Sequence, residues 1–327
     1  MAPRICERRS FCKAARVRGQ DVEAILVLQR VGLTHKGLLG SGVEGTVVDL
    51  GDGRVAKVWS DRRLTDLELL RDYYDALNAA RPADRAVAMP RILELRDFEG
   101  TLITVEQRLI GRPLWVADGT SPHLTAAHVD AMTEALAALA AVPGEPALRV
   151  LPVLPDEPPF NQTAPFETEL AALVTRRTTL FKTSLRSALH DVDAVLNDTV
   201  AALHALRPAI PTLVHGDLIA ANVLSYEAHA TAVLDFGFLS TAGDPAFDAA
   251  IAASCFDMWG PSAQDIERQL DRAFASAFGH DHRRVSIYRA AYALTTACCF
   301  GTDLSDGHFA WCITMLDRPD VRDAVQN

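Results

Sequence analysis

Hydrophobic spacing changes character twice along the chain. Apolar residues at helical spacing over 21–31, followed by Gly32, predict a short leading helix. From residue 34 to about 106 the alternation is that of strands. Segments 46–50 and 54–59 flank Gly51-Asp52-Gly53, and glycines that accept positive φ make this a hairpin turn. Leu67, Leu70, Tyr74 and Leu77 share one face of a helix, and 91–95 and 102–106 supply two more strands. Past Gly111-Arg112-Pro113 the pattern becomes helical. Val129, Met132, Leu136 and Leu139 form one stripe, and Val192, Val195, Leu203 and Leu206 form another. The proline-rich stretch 143–165 between them cannot continue a helix and predicts a long connecting loop. Further helices are predicted over 244–258, 262–278, 286–300 and 306–316. Asp244-Pro245 is a good start signal, a capping carboxylate followed by a proline preset for the first turn. The prediction is an α+β chain in three parts: a basic tail and leading helix over 1–33, a small antiparallel-sheet lobe with one helix over 34–106, and a large, mainly helical lobe over 107–327.

Composition narrows the class. Hydrophobic residues make up 49% of the chain and charged residues 23%, which is ordinary for a globular protein and argues against disorder. No apolar run approaches the ~20 residues of a membrane-spanning helix, so no membrane partner is expected. Arg4, Arg8, Arg9, Lys13, Arg16 and Arg18 face only Glu7 near the start. Arg8-Arg9 is not followed by the apolar stretch of an export signal, so the segment reads as a basic tail and the location as cytoplasmic. Cys6, Cys12, Cys255, Cys298, Cys299 and Cys312 show no metal-type spacing and read as free thiols. A formal charge of −10 disfavours nucleic acid as a partner and suits either plain solubility or a cationic substrate. No obligatory protein partner is evident.

Three segments carry the chemistry. Gly40-Ser41-Gly42-Val43-Glu44-Gly45-Thr46-Val47 fits a glycine-rich phosphate loop, and here it lies between two strands rather than opening a helix. Val55-Ala56-Lys57 ends the next strand with a lysine among apolar neighbours, an order suited to covering and neutralising nucleotide phosphates. His215-Gly216-Asp217-Leu218-Ile219-Ala220-Ala221-Asn222 follows a short apolar strand. Its Asp and Asn can place a carboxylate near a hydroxyl proton and an amide oxygen on a metal ion. Ala232-Val233-Leu234-Asp235-Phe236-Gly237 delivers a second carboxylate at a strand end, and one carboxylate with one amide oxygen suits Mg²⁺.

These motifs, in this order, resemble the aminoglycoside phosphotransferase family, which is similar to choline kinases and more distantly to protein kinases. Gly243-Asp244-Pro245-Ala246-Phe247-Asp248 matches the segment that follows the family's signature, and the resemblance covers about 38–257 with motifs. It implies a two-lobed, protein-kinase-like fold with a nucleotide-binding N-terminal lobe and a catalytic, substrate-binding C-terminal lobe. It implies Asp217 as the catalytic base or hydroxyl-orienting group, Asn222 and Asp235 as Mg²⁺ ligands, and Gly40, Gly42, Gly45 and Lys57 around the phosphates. Glu68, from the helix after the lysine strand, would pair with Lys57, and the backbone from Glu106 to Leu109, with Glu106 and Arg108 as nucleotide contacts, would meet the adenine edge. The expected donor is ATP, with GTP as the alternative. His215 is expected to brace the catalytic loop, and Asp248 to reach back to the same loop's amides.

The departures matter too. Ile219 stands where kinases of serine and threonine carry a lysine, and the short span from Asp235 to Asp248 leaves no peptide-docking segment. Glu44 puts a carboxylate in the phosphate loop, where it is expected to point to solvent. The predicted activity is transfer of a γ-phosphoryl group to a hydroxyl of a small molecule: an aminoglycoside-like antibiotic, an amino alcohol or a sugar. Asp257, Glu267, Asp303 and Asp306 are candidate contacts for a cationic acceptor. A nucleotide-binding pseudokinase and a protein kinase are the competing readings.

Overall fold

The computed structural model describes residues 21–42, 44–83, 86–115 and 123–327. The basic tail with its Arg8-Arg9 pair, Cys6, Cys12 and Val43 of the glycine loop lie outside the described residues. The chain divides into two compact units. One runs to Asn78 and resumes over Met89–Leu109; the other takes Ala79–Ala88 and Ile110–Asn327.

The first unit is built on five antiparallel strands: β1 (Gly37–Ser41), β2 (Gly45–Asp49), β3 (Arg54–Trp59), β4 (Ile92–Phe98) and β5 (Thr101–Gln107), in the order β1-β2-β3-β5-β4. Leading helix α1 (21–30) lays Ala24, Val27 and Leu28 on the sheet face made by Val48, Ala56, Ile103 and Val105. Helix α2 (Leu64–Ala80) seats Leu67 against Trp59 and Leu102. The β2–β3 turn is the glycine-rich one expected: Gly51 and Gly53 have φ of +84° and +81°, and the Gly51 amide donates to Asp49 Oδ1 at 2.8 Å.

The second unit is mainly helical: α3 (Ala126–Ala140), α4 (Phe166–Leu180), α5 (Lys182–Ala188), α6 (Val192–Ala205), α7 (Pro245–Ser254), α8 (Ala263–Phe278), α9 (His282–Thr296), α10 (Gly307–Asp317) and α11 (Pro319–Gln326). Two small sheets accompany them. β6 (Arg112–Pro113), β8 (Val223–Tyr226) and β9 (His229–Val233) form one, and β7 (Thr212–Val214) with β10 (Thr241–Gly243) form the other. The core of this unit gathers Leu170, Val174, Phe247, Ile251, Tyr288, Tyr292, Phe309 and Leu316. Asp244 caps α7 by accepting from the Ala246 amide at 2.9 Å, with Pro245 in the first turn. No helix among the described residues is long and apolar enough to cross a membrane. Cys255, Cys298, Cys299 and Cys312 are free thiols.

One expectation is extended and one corrected. The stretch 143–165 is the connecting loop expected, with one short 3-10 turn over Pro146–Leu148, but it is packed rather than loose: Leu148, Val153, Leu154 and Phe160 are buried in it. Buried Arg149 fastens it by donating to the carbonyls of Ala242 at 2.9 Å and of Asn161 and Ala164 at 2.6 Å each. Helix α9 begins at His282 rather than 286, because Asp281 caps it through the Arg283 and Arg284 amides. Apolar residues on every face of that helix blur the periodicity that would locate its ends.

Candidate active site

In the second unit, strand β7 delivers His215 into the interior, where its ring is fully enclosed. Nε2 lies 2.7 Å from the Leu234 carbonyl, which can only accept, so Nε2 carries the proton and Nδ1 accepts from the Asp217 amide at 3.2 Å. Burial depresses the imidazole pKa to about 4, against the opposing pull of the Leu234 bond and the Asp235 charge. The ring is therefore neutral at ordinary pH and braces the loop. From the first turn of α7, Asp248 accepts from the amides of His215 at 2.7 Å and Gly216 at 2.8 Å. Burial pushes its carboxyl up to about 7 against the pull of those two amides. Gly216 has φ of +87°, and a Cβ there would come within 2.5 Å of backbone atoms of Phe238 and Leu239, so the turn admits only glycine. Ser240 Oγ accepts from the Gly237 amide at 2.8 Å and donates to the His215 carbonyl at 2.6 Å, joining the two motif turns.

This frame presents three side chains together. Asp217 is half-buried, and burial first, then the Asp235 charge, raise its carboxyl to about 6. Asn222 Nδ2 donates to the Asp217 carbonyl at 2.9 Å, which turns Oδ1 away from that bond. The Asn222 carbonyl accepts the Leu234 amide at 2.8 Å, so the residue before Asp235 is tied to Asn222 directly. Asp235 follows the end of β9 at a left-handed φ of +57°, with its carboxylate exposed. One oriented amide oxygen beside one exposed carboxylate is a hard-oxygen donor set, which fits a Mg²⁺ ion that keeps some of its waters.

In the first unit, the glycine loop joins β1 to β2. Gly45 has φ of +153°, and a Cβ on it would lie 2.1 Å from the Val58 carbonyl oxygen, so glycine is obligatory there. Gly40 and Gly42 have nothing within 4 Å of where a Cβ would sit, leaving room for an anion to approach the backbone. The Lys57 side chain is only 12% exposed, with Nζ 2.9 Å from Glu44 Oε2 and 3.8 Å from the centre of the Trp59 ring. This corrects two expectations. Glu44 does not point freely to solvent. Glu68 lies on an exposed turn of α2, and no bond joins it to Lys57; a carboxylate for the lysine comes from the loop instead of the helix. Further along, Glu106 accepts from Thr104 Oγ1 at 2.6 Å. The Arg108 amide donates to the Gly53 carbonyl at 2.9 Å, and its guanidinium pairs with Asp49 at 2.5 Å, so that amide is not available to a ligand in this conformation.

The acidic candidates of the second unit separate. Glu267 is buried and gripped by Arg318, whose Nη1 and Nη2 lie 2.8 and 2.7 Å away, and by Arg289 at 3.2 Å. A carboxylate inside such a network is structural, which removes Glu267 as a substrate contact. Asp306 caps α10 by accepting from the Phe309 amide at 2.9 Å, and its own amide donates to the carbonyl of exposed Asp303 at 3.0 Å. Asp303 also accepts from the Ser305 amide at 2.8 Å. Asp257 is folded onto its own turn beside Gly260, with Oδ2 shut off from solvent and burial raising its carboxyl. Trp259 Nε1 donates to the Gly307 carbonyl at 3.4 Å, bringing that turn to the start of α10 beside Asp303 and Asp306. Trp259 and Phe300 are each 66% exposed, and Phe300 stacks on Phe238 with centroids 6.3 Å apart. No signal in the sequence marks these two aromatics, because nothing in their spacing separates an exposed aromatic from a core one.

The model of the phosphotransferase enzyme family matches residues 38–288. No curated protein matches the chain by sequence. Among solved structures, aminoglycoside phosphotransferase APH(4)-Ia is similar at 21% identity, with 93% of this chain and 98% of that one covered and a TM-score of 0.65. The aminoglycoside 2'-phosphotransferase-IIIa of a GDP complex is 18% identical over 93% of this chain and 99% of that one, with a TM-score of 0.58. A putative aminoglycoside phosphotransferase from Ralstonia eutropha is 19% identical over 94% and 98%, with a TM-score of 0.57. With a kinase-like α+β fold and a family match over most of its length, the chain belongs to the phosphotransferase enzyme family.

Proposed function

We propose that the protein transfers the γ-phosphoryl group of a nucleoside triphosphate, ATP before GTP, to a hydroxyl of a small cationic or polyhydroxylated compound. The observation that carries this reading is the braced loop from His215 to Asn222, which holds the Asp217 carboxylate beside Asn222 and Asp235. The acceptor hydroxyl oxygen attacks the γ-phosphorus as the bond to the β,γ-bridging oxygen breaks, and the hydroxyl proton passes to Asp217. With a carboxyl near 6, Asp217 is mostly ionised at neutral pH and close enough in pKa to take that proton. Asn222 Oδ1 and Asp235 would hold Mg²⁺, which supplies positive charge to the phosphate oxygens when bound. Lys57 and the open backbone of Gly40 and Gly42 would receive the phosphates.

On the acceptor side, exposed Trp259 and Phe300 stand beside Asp303 and Asp306. Aromatic faces with nearby carboxylates suit a compound that carries both ring surface and ammonium groups. Similar structures were solved in ternary complexes with hygromycin B and ADP or AMP-PNP, which places aminoglycosides first among compounds to try. The test is a turnover assay with ATP and GTP against aminoglycosides, amino alcohols and sugars, with casein and histone as protein controls. Turnover is expected in the small-molecule set and none on the proteins, and Trp259→Ala should raise the acceptor KM. Labelling of casein with no small-molecule turnover would overturn the reading, as would nucleotide binding without any turnover.

A further inference from the structure

The glycine loop carries a feature that the phosphate-binding role of Lys57 does not use. Glu44 spans two cations: Oε2 is 2.9 Å from Lys57 Nζ, and Oε1 is 2.5 Å from Arg62 Nη2. Both cations sit over one indole. Lys57 Nζ is 3.8 Å and the Arg62 guanidinium carbon 5.8 Å from the Trp59 ring centre. That indole is fixed, since Trp59 is buried and Nε1 donates to Thr104 Oγ1 at 3.0 Å, which in turn donates to Glu106 at 2.6 Å. The backbone of Glu44 is fixed as well, its carbonyl accepting from the Ser60 amide at 2.9 Å. The Glu44 side chain, 45% exposed, can turn to water while its backbone stays in place.

A stability role explains this arrangement poorly. Glu44 and Arg62 are 45% and 41% exposed, and an ion pair so open to water contributes little to folding, which leaves only the bond to Lys57 partly shielded. What the arrangement does is set two oxygens of one anion on two cations over a rigid ring, beside a loop in which Gly40 and Gly42 have nothing within 4 Å of where a Cβ would sit. Two non-bridging oxygens of a phosphate would make the same contacts. Burial pushes the Glu44 carboxyl up, but Lys57 and Arg62 outweigh it and hold the group below the ordinary carboxylate range, so the carboxylate is charged and competes as an anion.

We propose that Arg62 is a second phosphate-binding cation beside Lys57, and that Glu44 is a built-in stand-in for phosphate which nucleotide must displace. This rests on the nucleotide-site reading of Lys57. Glu44 holds two like charges together. The triphosphate then takes both cations, and the freed carboxylate turns to water. Nucleotide affinity is thereby set lower than the two cations alone would give.

Calorimetric titration of Mg·ATP, and of tripolyphosphate as a probe without base or sugar, tests the proposal on the wild type and on Glu44→Gln, Glu44→Ala, Arg62→Gln and Lys57→Met. Circular dichroism and thermal unfolding confirm that each variant is folded. Both Glu44 variants should bind both ligands about three- to five-fold more tightly, and Arg62→Gln should bind both about three- to five-fold more weakly. Lys57→Met separates the two claims: if it leaves Mg·ATP affinity unchanged, the nucleotide site itself has been misplaced. If Lys57→Met weakens binding while the Glu44 variants bind no more tightly, the site stands and the stand-in does not. Weaker binding in Glu44→Gln would make Glu44 a permanent orienter of Lys57 and overturn the proposal.

Discussion

The loop from His215 to Asn222 and the glycine loop from Gly40 to Gly45 are held in place in opposite ways. The first is fixed from beneath by buried groups: Asp248 on two amides, a neutral His215 between Leu234 and Asp217, and Asn222 on the Asp217 carbonyl. The second is largely exposed: besides its backbone bonds and Ser41 Oγ donating to Asp21, a carboxylate bridges Lys57 and Arg62 near the surface. Buried, fully satisfied hydrogen bonds define one geometry, whereas exposed ion pairs exchange readily with solvent and ligand. The contrast matches the tasks proposed for each loop. A group that receives a proton must not drift, while a loop that admits and releases a nucleotide must yield.

The largest effect that would break this contrast is on stability. Asp248→Ala leaves the His215 and Gly216 amides buried without their acceptor, at ~1–3 kcal/mol per group. Thermal and denaturant unfolding should show a loss of ~2–6 kcal/mol. Asp248→Asn keeps one acceptor oxygen and should lose less. An unchanged midpoint for Asp248→Ala would mean that the loop is held by something else.

Titration gives a middle-sized effect. The His215 pKa is depressed to about 4 by burial, so the ring should stay a neutral Nε2–H tautomer as pH falls from 8 to 5. Exposed His229 is raised by its bond to Glu134 and should protonate first on the same descent. Nitrogen-detected NMR of the imidazoles resolves the two. His215 alone contributes stability that is present above pH 6.5 and lost as pH falls toward 4. Asp217 and Asp248, with raised carboxyls at about 6 and about 7, oppose it, because the folded state takes up their protons before the unfolded chain does. The ring's own titration is therefore the clean readout, and protonation of His215 near pH 6.5 would contradict the depression of its pKa by burial.

The smallest effect sharpens the first-unit side. Glu68→Gln should change Mg·ATP affinity by no more than about two-fold, because the side chain is exposed and not bonded to Lys57. A ten-fold loss would return the lysine's partner to helix α2.

Much of this was legible before the coordinates because it is local. Gly51-Asp52-Gly53 dictates its own turn, Asp244-Pro245 its own helix start, and both are where expected. The brace between Asp248 and the His215 turn, 33 residues apart, was legible through the family resemblance rather than through any local signal. What escaped depends on partners distant in sequence. Helix α4 has an unsharp apolar stripe and follows a proline-rich run, so its start at Phe166 carries only the weak signals of Pro165 and the first-turn acids Glu167 and Glu169. The packing of 143–165 rests on Arg149 reaching carbonyls as far away as Ala242. Glu267 looked like any solvent-facing helix acid until Arg289 and Arg318 were seen to enclose it. Glu44 looked free because Arg62 lies beyond the strand that carries Lys57, and only folding makes the three neighbours.

The most direct test of the central claim compares chemistry with binding in Asp217→Asn. The substitution keeps the shape and removes the proton acceptor, so kcat with the best acceptor should fall by about 10²-fold or more. Mg·ATP affinity, measured on the same preparation by calorimetry, should stay within about two-fold of wild type, because Asp217 is assigned to the acceptor hydroxyl and not to the nucleotide. Wild-type turnover in Asp217→Asn would remove Asp217 from the reaction, and a collapse of Mg·ATP binding with kcat little changed would assign it to the nucleotide instead.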